Sequence, residues 1–393
     1  MSDAQLSITT EGSEIKVQCK IEQANGSKKA YPQTSLSVDR TALAHRIGKI
    51  KDVLSEDMTN IWASLPDPLA NPKDTNKPDY VAKSFKKCMD STLSEGSTLF
   101  RELSDNGLEE IMCELDKMEN GSTISIDTDV AFLPFEILTS KQFLNNPNLP
   151  KPKNPSEPQD MWGYRFIIDY YVKTNSPHDV GALKAAHLSN KPFVGVNLNP
   201  TIDDAFKNKV FEPLKFHKIF YQNEITNAHG EVDLDPASIL EKLVSDEYQA
   251  TLIYLYCHGS NSNPFEINND ERLEFDENTT LSPGEFRKFD NEYPHAPIVF
   301  LNSCLSGQPS PLSFTSFQAV FCRKKALGFI GTAINMPATF AAAFGCHLIR
   351  DYLKGAQLGA AIWKLRRELI ENGNPLGLFY ALQCPADVCV ATS

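Results

Sequence analysis

Short, uninterrupted apolar runs recur through the second half of the chain, at Phe166–Ile168, Pro192–Val196, Thr251–Cys257, Pro297–Leu301 and Ala326–Gly331. Stretches of helical periodicity separate them, for example Pro236–Leu243 and Thr315–Arg323, and two more, Ala338–Leu353 and Ala356–Ile370, follow. Strands that are apolar on both faces are buried on both faces, so the pattern predicts an α/β fold with a mostly parallel central sheet covered by helices. Gly377–Leu382 reads as one last strand.

The N-terminal part is patterned differently. Leu6–Ile21 alternates in strand fashion, with Ile15, Val17, Cys19 and Ile21 on one face, and a polar Asn25-Gly26 turn follows. Thr41–Ala63 then carries Leu43, Ile47, Ile50, Leu54, Met58 and Ile61 on a helical stripe, ended by Pro66, Pro68, Pro72 and Pro78. These prolines suggest a division into an N-terminal strand and helical segment, 1–79, and a main domain, 80–393. Within the latter, helices are predicted over Tyr80–Leu103 and Leu108–Met118, and a hairpin or strand pair over Ser122–Phe132. The Pro-, Asn- and Lys-rich stretch 145–158 predicts an exposed, extended insertion.

Two of the predicted strands run into reactive side chains. The first ends at His258-Gly259 and the second at Asn302-Ser303-Cys304, and His258 precedes Cys304 by 46 residues. Functional crevices of open α/β sheets lie beyond the carboxyl ends of the strands, so both side chains are candidates for one cleft. The order His before Cys and the spacing suit the caspase arrangement and argue against a papain-like one. A thiol with pKa near 8.5 is mostly neutral at pH 7, so a neighbouring imidazole is needed to generate the thiolate and later to protonate the leaving amine. The N–H groups of Gly259 and Cys304 are candidate oxyanion donors. Cys322, Cys346 and His347 lie in helical patterns, His295 precedes a strand rather than ending one, and Cys257 alternates to the opposite face from His258; core or structural roles are the simpler reading for these.

Charge and cysteine content narrow the function classes. The net charge is −12, and no basic block stands out, so nucleic acid is not an expected partner. Lys364, Arg366 and Arg367 cluster beside Glu368 and Glu371, which reads as a solvated helix face. Nine cysteines with no Cys-x-x-Cys pair fit neither a disulfide framework nor a structural zinc site, and point to a reduced cytoplasmic protein without metal or cofactor. Met1–Thr10 does not look like a signal peptide and no apolar run is long enough for a bilayer, so no membrane association is expected.

The chain resembles the CHAT family of caspase-like proteins, related to separases and caspases. The resemblance rests on Leu-Pro-Phe-Glu-Ile-Leu (133–138), Tyr-Cys-His-Gly (256–259), Leu-Asn-Ser-Cys-Leu-Ser-Gly (301–307), Gly-Phe-Ile-Gly-Thr (328–332) and the closing helix pair, and covers roughly 80–393. It implies a caspase-like α/β/α sandwich and a cysteine endopeptidase cleaving a protein substrate, with His258 as base, Cys304 as nucleophile and Gly259 in the oxyanion role. It also implies activation by a partner protein or ligand that orders loops such as 145–158 and 260–278, and a bacterial regulatory or defence setting. In caspase-like enzymes the residue two before the nucleophile helps line the specificity pocket. That residue is Asn302 here, and Asn335 and Met336 are expected nearby, so an uncharged P1 residue is anticipated. Glu136 and Asp169 could still supply charge, although Glu136 reads better as structural. A pseudoprotease that binds peptides without turnover, or a small-molecule thiol hydrolase, remains open at this level.

Overall fold

The computed structural model describes residues 3–11, 14–22, 26–37, 48, 79–128, 134–140, 157–172, 193–202, 213–220, 230–260, 272–303, 317–334 and 336–390. The predicted helix over 41–63 (apart from residue 48), most of the 145–158 stretch, Cys304 and Asn335 lie outside the described residues. The chain divides into two compact units, one formed by Met1–Met58, Ala70–Lys173 and Ile362–Phe379, the other by Thr59–Leu69, Thr174–Ala361 and Tyr380–Ser393.

In the first unit, the alternating stretch Leu6–Ile21 is not one strand but two antiparallel ones, β1 (Ala4–Glu11) and β2 (Glu14–Glu22), flanked by short β3 (Lys28–Ala30) and β4 (Thr34–Leu36). Helices α1 (Asp79–Leu103) and α2 (Glu109–Asp116) follow. Next come strand β5 (Thr123–Thr128), the short helix α3 (Trp162–Arg165) and strand β6 (Ile167–Val172). β5 is not half of a local hairpin. It pairs in parallel with β1 on one side and with β6 on the other, so the N-terminal hairpin shares a sheet with strands more than a hundred residues later.

The second unit carries the predicted parallel sheet. Its strands are β7 (Val194–Leu198), β8 (Gly230–Asp233), β9 (Leu252–Tyr256), β13 (Ile298–Asn302), β14 (Gly328–Thr332) and β15 (Tyr380–Gln383), in the order β15-β14-β13-β9-β7-β8, with β15 alone antiparallel. Between β9 and β13 lie β10 (His258–Ser260), β11 (Arg272–Glu274) and β12 (Thr280–Leu281), which form a small antiparallel sheet of their own. The helices are α4 (Pro213–Phe220), α5 (Pro236–Leu243), α6 (Pro283–Phe286), α7 (Phe317–Arg323) and α8 (Ala338–Leu353); α9 (Leu358–Glu371) continues into the residues of the first unit.

Alternation sorts the sheet's side chains into two layers. Ile253, Leu255, Val299 and Leu301 join Ile239 and Leu243 of α5 and Val320 and Phe321 of α7 in one core. Tyr254, Tyr256 and Asn302 face the other way, toward α4 and α8. With helices on both faces, this unit is an α/β/α sandwich, and the α/β class read from the sequence holds. Among the described residues no helix is long and apolar enough to cross a membrane.

One buried cation has a measurable signature. The Lys324 ammonium donates to the Phe289 carbonyl and to Asn291 Oδ1 and lies 4.7 Å over the Phe286 ring. Burial pulls its pKa from the ordinary 10.5 down to about 8. Between those values the unfolded chain holds the proton more tightly than the folded one, so this group makes stability rise with pH from about 8 to 10.5. Replacing Lys324 by methionine is expected to remove that rise, roughly 2 kcal/mol between pH 8 and 10 in urea unfolding. An identical pH response in both proteins would refute the assignment.

Candidate active site

His258 is exposed at the start of β10, two residues beyond the end of β9. Its register partner across the small sheet is Glu274, and half-buried Gly259 faces Leu273. The polar stretch Ser260–Asn278 is expected from the sequence to be a loop. In the structure its described residues contribute strand β11, which fixes the backbone that carries His258. Leu273 supplies the apolar anchor of that sheet and is buried in the same core as Cys257, Leu281 and Phe286.

β9 and β13 are adjacent and parallel, and their last register pair is Tyr256 with Asn302. His258 follows Tyr256 by two residues, and Cys304 follows Asn302 by two. Ser303, which precedes Cys304, is buried, and its carbonyl accepts a 2.6 Å hydrogen bond from Thr332 Oγ1 at the end of β14. The exits of three parallel strands, β9, β13 and β14, are therefore side by side.

Asn302 is 2% exposed and its side chain is bonded at both ends. Nδ2 donates to Tyr254 Oη at 2.9 Å and to the Ala341 carbonyl at 2.7 Å, while Oδ1 accepts from Tyr380 Oη at 2.8 Å. Met336 is buried. Gly345 lets α8 come this close: a Cβ there would lie 2.6 Å from Tyr254 Oη and 3.0 Å from Asn302 Nδ2.

Sequence reasoning passed over His217. It sits on α4 with no exposed surface, its Nε2 3.0 Å from Tyr254 Oη and its ring 4.5 Å from that of Tyr256. A lone histidine on a short amphipathic helix gives no signal of this in the sequence. Among the described residues, His295 bonds Gln249 and His347 bonds Arg350.

Three of the other thiols are poor nucleophiles. Burial raises Cys19 to about 12 and Cys322 to about 11, and pushes Cys346 well up as well. Cys257 packs in the core. Among the described residues no group of three or more His, Cys, Asp or Glu side chains is arranged to hold a metal ion.

Glu136 and Asp169 belong to the first unit. Glu136 has no exposed surface; it pairs with Arg366 at 3.0 Å and accepts from Tyr170 Oη at 2.6 Å, the structural role expected of it. Arg366 does not lie on a solvated helix face. It is 1% exposed, and it also donates to the Gly377 carbonyl. Asp169 is buried on β6.

Among solved structures the chain is similar to the complex of Porphyromonas gingivalis RgpB pro- and mature domains, with a TM-score of 0.45 and 9% identity over 80% of this chain and 78% of that one. It is also similar to the Saccharomyces cerevisiae separase–securin complex, with a TM-score of 0.49 and 10% identity over 97% of this chain and 30% of that chain. No protein-family model matches the sequence, and no curated protein matches it.

Proposed function

We propose that the chain is a caspase-like cysteine endopeptidase in which His258 is the general base and Cys304 the nucleophile. The observation that supports this reading is the register of two adjacent parallel strands, which pairs Tyr256 with Asn302; in sequence, each candidate follows its register residue by two. Two trans peptide units span at most about 7–8 Å, so chain connectivity alone keeps each candidate near its exit. The reaction is acyl transfer. The Cys304 thiolate attacks the substrate carbonyl, His258 takes the thiol proton and returns it to the leaving amine, and water then hydrolyses the thioester. The N–H groups of Gly259 and Cys304 serve as oxyanion donors.

The neutral character of Asn302, Asn335 and Met336 supports an uncharged P1 residue. For Asn302 a supporting role fits better than direct contact, since its side chain is committed on both sides. The resemblance of the motifs supports activation by a partner or ligand, and a cytoplasmic setting in a bacterial regulatory or defence system.

The test compares new protein N-termini in a cell extract treated with the wild-type chain or with Cys304→Ala. Fragments cut after uncharged residues are expected with the wild type alone. The same fragments from both proteins would remove Cys304 from the mechanism and leave a binding module as the better reading.

A further inference from the structure

Behind the exits of β9 and β13 runs a continuous line of hydrogen bonds. Tyr380 Oη donates to Asn302 Oδ1, Asn302 Nδ2 donates to Tyr254 Oη, and Tyr254 Oη lies 3.0 Å from His217 Nε2. All four side chains are buried. Tyr254 already accepts from Asn302, so its own proton is directed to His217 Nε2 when that imidazole is neutral with its proton on Nδ1. Every donor along the line then points the same way, from β15 through β13 and β9 to α4.

The surroundings hold this line in place. Asn302 Nδ2 and Tyr256 Oη donate to the Ala341 and Ala338 carbonyls of the first turn of α8. The Tyr380 ring stacks on Phe344 at 3.9 Å and 5°. Position 345, where only glycine fits, brings α8 against Tyr254 and Asn302. A buried polar network that is fully bonded rigidifies and specifies its surroundings, whereas a partly bonded one is costly.

We infer that the Tyr380–Asn302–Tyr254–His217 line is a positioning device: it fixes the exits of β9 and β13, and through them the separation of His258 and Cys304. Tyr256 and Asn302, the last register pair of the two strands, precede the two candidates by two residues in sequence. A change in tilt or register at either exit is passed directly to the reacting groups. The inference rests on the His258–Cys304 reading proposed above.

Tyr254→Phe and Tyr380→Phe each remove one hydroxyl and keep the ring, the first at the hub and the second at the end of the line. Both are assayed with the full chain on a peptide cleaved by the wild type, beside Cys304→Ala, with thermal unfolding measured in parallel. Expected is a fall in kcat of roughly 10–100-fold for Tyr254→Phe and less for Tyr380→Phe, with KM within about twofold, because misplacement by an ångström costs reaction rate rather than binding. If Tyr254→Phe does not fold, Tyr380→Phe decides. A lowered Tm with unchanged kcat would make the line merely structural and overturn the inference. Wild-type cleavage no faster than that of Cys304→Ala would instead overturn the dyad reading, and this inference with it.

Discussion

Cys304→Ala is expected to abolish peptide cleavage, and His258→Ala to lower kcat by at least about 10³-fold, with no further loss when both are changed. A nucleophile and its base act as a unit, so removing either costs nearly as much as removing both. Cys19, Cys322 and Cys346 are not suited to substitute, because burial raises their thiols well above the ordinary range. Steady-state kinetics on one cleaved peptide, with the three variants side by side, measures this. Losses that multiply in the double variant would show that the two residues act independently, and a base–nucleophile pair would then be the wrong description.

The second large effect is on stability and concerns the first unit. Arg366→Met leaves Glu136 fully buried with Tyr170 as its remaining side-chain donor. Burial pushes the Glu136 carboxyl upward, while Arg366 and Tyr170 hold it down. Removing one partner of a buried pair costs about 3–5 kcal/mol, whereas exchanging both for uncharged residues of similar volume costs far less. Urea unfolding of Arg366→Met and of the Glu136→Gln/Arg366→Met double variant reads both quantities. A loss below about 1 kcal/mol in the single variant would mean that the carboxyl already carries a proton in the wild type.

Elements whose burial is complete were legible in the sequence. β9, β13 and β14 read as unbroken apolar runs because they are covered on both faces, and α8 matches its periodic stretch residue for residue. The strand character of Leu6–Ile21 was legible from its alternation, although its division into β1 and β2 was not. The parallel pairing of β1 with β5 was hidden as well, since nothing in a strand's own text names a mate more than a hundred residues away. β11 was hidden because three residues, only one of them buried, lie among polar neighbours.

Of the candidate pair, His258 stood out by its place after a strand end, and the structure puts it two residues beyond β9, the parallel neighbour of β13. The supporting network was invisible for a different reason. Tyr254, Tyr256 and Tyr380 count as apolar in a hydrophobic run, yet their hydroxyls find partners on elements distant in sequence. Arg366 misled in the opposite sense: its charged neighbours suggested water, while its guanidinium reaches a carboxylate 230 residues earlier.

The most direct test of the central claim is the alkylation rate of Cys304 by iodoacetamide, followed by mass spectrometry in the folded wild type and in His258→Ala across pH 5 to 9. Cys304 is expected to react below the pH range of an ordinary thiol, and His258→Ala to slow it at least about tenfold at pH 6.5 while returning its pH dependence to that of a free cysteine. Identical rate profiles in the two proteins would show that His258 does not act on Cys304, and would contradict the account.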